Sequence, residues 1–137
     1  MKNNRFVVDT NVLISALLFK QSIPFQAVKI AEKGVILYSG AMLNELNRVL
    51  NRRKFDKYLT LEERQKFLIK FIASSQSVEI IETISACRDA KDNKFLELAV
   101  NGNAQTIITG DQDLLVLNPF REIEIMTPDF FVSIGNF

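Results

Sequence analysis

The stretch Phe6-Val7-Val8-Asp9-Thr10-Asn11-Val12-Leu13 constrains the fold of this chain more than any other. An unbroken apolar run stops at a carboxylate, a polar pair follows, and a second apolar run begins. Consecutive apolar residues suit a strand buried on both faces, as in a parallel sheet covered by helices. Asp9 then closes a buried strand and leads into a helix, a position where a side chain can carry chemistry.

The same alternation recurs along the chain. Arg5 to Val8 reads as strand one and Asn11 to Leu18 as a short helix. Ile23-Pro24 opens a second helix, since Pro24 suits a first turn; Phe25, Val28 and Ile30 supply its apolar positions and Gly34 ends it. Val35 to Tyr38 is strand two. Ser39-Gly40 starts a helix through about Arg53, with Met42, Leu43, Leu46, Val49 and Leu50 at helical spacing. Thr60-Leu61-Glu62-Glu63 is a capping box opening a helix through about Ala73. Val78 to Ile81 is the expected strand three, and Cys87 to Lys91 a loop. Asp92 or Asn93 caps a helix through about Val100, which Gly102 ends. Thr106 to Thr109 is strand four, Gly110 to Leu115 a turn into a short helical piece, Glu122 to Met126 strand five, and Thr127-Pro128 the start of a last helix. Strands alternating with helices imply parallel pairing and right-handed crossovers. The expectation is a single α/β domain spanning residues 1–137, a three-layer α/β/α sandwich, with no repeat or linker.

Composition narrows the chemistry. The net charge is +1, so no global basic field marks a nucleic-acid binder, and any such contact has to come from a local patch. A lone cysteine, Cys87, excludes an intramolecular disulfide and a multi-cysteine zinc site, and reads as a buried small side chain. No apolar run is long enough to span a membrane, and the basic N-terminus is not followed by a signal-peptide core, so a cytoplasmic protein is expected. The chain has no histidine, the commonest general acid or base near neutral pH. Ser-His-Asp, Cys-His and histidine-pair catalysis are thereby excluded. A hydrolase built from this sequence has to rely on carboxylates and a hard cation.

The carboxylates are placed for that. Asp9 closes strand one, Glu45 lies on the helix after strand two, Asp92 opens the helix after strand three, and Asp111 and Asp113 follow strand four. All fall at or beyond the carboxyl ends of strands, which lie along one edge of a parallel sheet and form a crevice where strand order reverses. Each also has a simpler reading: Asp9, Asp92 and Asp111 as helix N-caps, Glu45 as a solvated residue paired with Arg48. Together, however, such acids would repel one another, and a divalent cation removes that penalty. Mg²⁺ and Mn²⁺ take oxygen ligands and retain water, whose pKa the ion lowers.

Three motifs, in order, resemble those of PIN-domain ribonucleases. Phe6 to Val12 resembles the opening motif, Arg88-Asp89-Ala90-Lys91-Asp92-Asn93-Lys94-Phe95-Leu96-Glu97-Leu98-Ala99 the third, and Ile107-Ile108-Thr109-Gly110-Asp111-Gln112-Asp113-Leu114-Leu115 the fourth. Asn44-Glu45-Leu46 falls where the family has a helical glutamate. The resemblance spans essentially the whole chain and is nearest to the VapC-like branch of bacterial and archaeal toxin components of toxin–antitoxin pairs. It implies a sheet of about five parallel strands in the order 3-2-1-4-5. It further implies Asp9, Glu45, Asp92 and Asp111 as the catalytic acids around one or two Mg²⁺ or Mn²⁺ ions, with Asp113 as a further ligand or neighbour. Thr10, Asn11 and Thr109 are similar to the family's hydrogen-bonding neighbours. Asn93 stands where many relatives of this branch carry a second Asp, and Asp89 reads as ordering its loop.

The function expected on these grounds is metal-assisted hydrolysis of single-stranded RNA, with Arg48, Arg52, Arg53, Lys54 and Lys57 as backbone contacts or, equally, as a solvated helix end. The resemblance also implies an antitoxin partner and often a homodimer. A receiver-type signalling domain needs an acidic pair before the first strand end and a lysine after the last, and neither is evident. A phosphatase of the Asp-x-Asp type is disfavoured by Asn11. A catalytically silent nucleic-acid-binding module remains the alternative.

Overall fold

The computed structural model describes residues 4–135; residues 1–3, part of the basic N-terminal stretch, and 136–137 lie outside them. In chain order the elements are β1 (Arg5–Val8), α1 (Thr10–Leu18), α2 (Ile23–Ala31), β2 (Val35–Tyr38), α3 (Gly40–Leu50), α4 (Leu61–Ser74), β3 (Gln76–Ser77), α5 (Asn93–Asn101), β4 (Thr106–Ile108), α6 (Gln112–Leu115), β5 (Glu124–Met126) and α7 (Pro128–Ile134). Single 3₁₀ turns occupy Arg53–Phe55 and Ala90–Asp92. The strands form one parallel sheet in the order β3-β2-β1-β4-β5, with helices on both faces. The expected order is therefore the observed one, and strand order reverses at β1 and β4, where the ends of both strands face a common edge. Among the described residues, no helix is long and apolar enough to cross a membrane.

The apolar runs behave as their composition requires. Val7, Val8, Leu37, Ile107 and Ile108 are fully buried, and Phe6 meets Phe131 of α7 edge-on with ring centroids 5.3 Å apart. Each such side chain contributes about 2 kcal/mol by leaving water. Gly34, between α2 and β2, is needed for space: a Cβ there would lie 2.4 Å from the Asn4 carbonyl oxygen. Polar caps fix the helix starts. Ser22, Ser39 and Thr127 each accept a backbone N–H, and Thr60 and Glu63 form the reciprocal capping box.

Three larger differences from the sequence reading have identifiable causes. Helix α3 stops at Leu50 rather than near Arg53, and the cause is Arg64. This arginine is 2% exposed and donates to the carbonyls of Leu50, Arg52, Leu59 and Thr60 and to Asp56. It takes up carbonyls that further helix would have used and ties α3, the basic segment after it and the start of α4 together. Strand β5 begins at Glu124, not Glu122, because Arg121 and Glu122 adopt left-handed backbone (φ 46° and 68°) in a tight turn.

The largest difference is the third strand, which lies at Gln76–Ser77 instead of Val78–Ile81. The Val78 N–H still reaches the Tyr38 carbonyl, but the chain then leaves the sheet and runs along α5. Side chains at every fourth residue of α5 supply the acceptors that a strand would have supplied. Asn101 accepts from Ile81 and Glu82, Glu97 from Ile84, and Asn93 from Ala86 and Cys87. Spacing of four places the three on one helix face. This row delivers the chain from the sheet edge to the acidic crevice.

Candidate active site

Asp9 follows β1 and caps α1. Its Oδ1 accepts the Asn11 N–H at 3.2 Å, and its Oδ2 accepts the Thr109 hydroxyl at 2.6 Å. Thr109 Oγ1 in turn accepts the Asp111 N–H at 3.0 Å, so one buried threonine fixes acids from two strands. Asp111 caps α6 by accepting the Asp113 N–H. Asp9 and Asp111 are thus helix caps, and Thr109 links them across the ends of two neighbouring strands. Asn11 contributes its backbone, while its side chain is exposed.

Asp92 is different. It is 5% exposed, makes no side-chain cap for α5, and its Oδ2 is buried without a hydrogen-bond partner among the described residues. Its carboxylate meets that of Asp111, and its oxygen lies within 4.8 Å of those of Asp89 and Asp113. Burial, then contact with Asp111, then the charges of Asp111, Asp89 and Asp9, push Asp92 up to about 7. Burial also raises Asp9, against the opposing Thr109 and Asn11 bonds, with Glu45 and Asp111 adding repulsion.

The other acids carry cations. Glu45, on α3, accepts from Lys94 Nζ at 2.9 Å. Burial works to raise its pKa, but Lys94, Thr10 and the Arg48 charge together hold it below the usual value. The Thr10 hydroxyl faces Glu45 without meeting the geometry of a full hydrogen bond and has no other partner among the described residues. Asp113 is gripped by Arg88 through both oxygens, at 2.8 and 3.2 Å. Asp89 caps the 3₁₀ turn by accepting the Lys91 N–H and lies 3.6 Å from Lys91 Nζ. It orders its loop, as its position suggested, yet also belongs to the tight carboxylate group, which sequence alone did not reveal. Asn93, meanwhile, is committed to the backbone of Ala86 and Cys87.

An all-oxygen donor set, mutually repelling acids and an orphaned buried carboxylate oxygen fit a hard divalent cation. Arg48, Arg52, Arg53, Lys54 and Lys57 are all exposed, on the end of α3 and the 3₁₀ segment that Arg64 holds.

The PIN domain family model matches residues 5–113. The chain belongs to the PIN domain family. The family is one of nucleases that use divalent metals, and an acidic group of Asp89, Asp92 and Asp113 is present in this chain. Among relatives, the chain is 37% identical to the uncharacterized protein MJ1680 of Methanocaldococcus jannaschii, over 94% of this chain and 90% of that one. In structure it is similar to PAE2754 from Pyrobaculum aerophilum (TM-score 0.62, 15% identity, 98% of this chain and 90% of that one). It is equally similar to VapBC2 from Rickettsia felis bound to a DNA fragment from their promoter (TM-score 0.61, 15% identity, 90% and 98%). These two likenesses establish a shared PIN fold.

Proposed function

We propose that this PIN domain hydrolyses phosphodiester bonds of single-stranded RNA with Mg²⁺ or Mn²⁺ held by Asp9, Asp92 and Asp111. The observation that carries the reading is the Asp92 Oδ2, buried and without a partner beside the carboxylates of Asp111, Asp89 and Asp113. Bound there, the ion supplies an activated water and positive charge for the scissile phosphate. The protein does the positioning. Thr109 keeps Asp9 and Asp111 at fixed separation, the Asn11 N–H orients Asp9, and the Asn93 side chain holds the loop that precedes Asp92. Glu45 and Asp113 would stand near such an ion with their own cations, Lys94 and Arg88, attached. The exposed Arg48, Arg52, Arg53, Lys54 and Lys57 track the RNA backbone by charge.

The same reading makes the chain the toxin of a toxin–antitoxin pair. The VapBC2 likeness supports it, as does a groove of about 600 Å³ between α1, α2 and α4. Leu17, Phe25, Phe67 and Phe71 line this groove and Lys20 and Lys70 rim it, which suits an amphipathic segment with an acidic edge.

The test is cleavage of single-stranded RNA by purified protein with Mn²⁺ or Mg²⁺, against EDTA and against Asp9→Asn. The expected products carry a 5′-phosphate and a 3′-hydroxyl and vanish in both controls. Products with 2′,3′-cyclic phosphate ends, or cleavage that survives EDTA, would refute it.

A further inference from the structure

The acids of the crevice divide by whether a side-chain cation already neutralises them. Glu45 has Lys94, Asp113 has Arg88 and Asp89 has Lys91, whereas Asp9, Asp92 and Asp111 have no ion pair among the described residues. The three pairs are not equivalent. The Arg88 and Lys91 side chains are 84% and 71% exposed, so both pairs are screened by water. Lys94 and Glu45 are 18% and 15% exposed. Their pair is the shielded one, and separating it without replacement would strand a charge away from solvent.

Lys94 is also anchored. It rises from the first turn of α5, two residues after Asp92. Its ammonium donates to Glu45 and to the Lys91 carbonyl, and lies 5.6 Å from the centre of the Phe95 ring. An ammonium has three donors, so one N–H remains uncommitted among the described residues. The lysine ammonium is a compact point charge. Glu45 is thus engaged by a fixed monovalent cation, and Asn93, with no charge to offer, is used up on backbone N–H groups. Glu45 is thereby withheld from a second divalent ion.

Building on the metal-centre reading above, we propose that Lys94 is the built-in second cation of this crevice, so that the centre takes a single divalent ion and Lys94 supplies the other positive charge that faces the phosphate.

The experiment counts metal. Mn²⁺ binding to the full-length protein is followed by the loss of free Mn²⁺ paramagnetic resonance signal, and independently by calorimetry, at fixed pH and without RNA. Wild type is expected to bind a single ion per chain, Lys94→Arg to keep that count, and Lys94→Gln, which frees Glu45, to admit a second ion. Thermal melts accompany each variant so that only folded protein is counted. Two ions in wild type overturn the proposal while leaving the metal-dependent nuclease intact, and this outcome needs no variant. A folded Lys94→Gln that still takes a single ion also overturns it. Absence of any Mn²⁺ binding to wild type removes the metal centre itself and the proposal with it.

Discussion

Replacing Arg64 with methionine tests whether one buried side chain organises the basic segment. Arg64 is 2% exposed, and its guanidinium donates at 2.7 Å to Asp56, 2.9 Å to the Leu59 carbonyl, 3.0 Å to Leu50, and 3.3 Å to Arg52 and Thr60. A hydrogen bond to a charged group contributes about 1.5–3 kcal/mol, but these five share one side chain and are not additive. The Asp56 carboxylate is 62% exposed and rehydrates on its own, so its share is below about 1 kcal/mol. The carbonyls of Leu50, Arg52 and Leu59 are the groups left wanting. Methionine retains most of the apolar stem, which leaves a loss of about 3 kcal/mol for Arg64→Met. In a domain of this size that lowers Tm by roughly 10 °C. Lysine keeps the charge but not the fork of donors, so Arg64→Lys should recover less than half. Urea unfolding followed by circular dichroism gives the stability, and amide exchange reports opening at residues 50–60. RNA affinity should fall with it, since Arg52 to Lys57 lose their frame. A loss under about 1 kcal/mol for Arg64→Met, or an equal loss for Asp56→Asn, would refute the reasoning.

Other outcomes follow from the site. Without metal, Asp92 is raised from 3.8 to about 7 in the folded protein, so the folded state holds a proton that the unfolded chain releases. Stability in EDTA should therefore be highest below about pH 4 as far as this group is concerned, and fall as pH rises through about 7. Urea midpoints across that window should lose much of this slope in Asp92→Asn or on adding Mn²⁺. Thr109→Val removes the bonds to Asp9 and Asp111 at nearly constant shape, and RNA cleavage should drop about 10- to 100-fold with the fold retained, while Thr109→Ser restores it. Asn93→Ala strips the acceptor from Ala86 and Cys87 and should cost about 1–2 kcal/mol, with faster exchange at those two amides; Asn93→Asp keeps an acceptor and should spare them.

How much of this was legible depended on which interactions were local. Apolar runs at β1, β2 and β4 announced a parallel sheet, and their ends marked Asp9 and Asp111. Caps at Thr60 and Thr127 are encoded within four residues, and so were readable. The third strand was misplaced because Val78 to Ile81 has a strand's composition, while beyond the Val78 N–H the chain's partners are side chains on a helix 13 to 20 residues later. Arg64 looked like any charged residue on an amphipathic helix; only the fold brings carbonyls from Leu50 and Arg52 to it. No role could be read for Lys94 for the same reason, its partner Glu45 being 49 positions away. Asp89 was recognised as a loop residue, but its closeness to Asp92 and Asp113 depends on how α6 approaches that loop.

The Thr109–Asp9 bond joins residues 100 positions apart. During synthesis at 5–20 residues per second, Asp9 waits roughly 5 to 20 seconds for its partner to be made. Until then β1 lacks β4, Asp9 lacks its hydroxyl, and Asp111 does not yet exist. A partly made chain therefore has no centre at all, however well its first half has collapsed. Whatever the crevice cuts, it begins to cut only once Thr109 and Asp111 have been translated and β4 has docked beside β1. For a nuclease born beside messenger RNA, the topology itself acts as a timer.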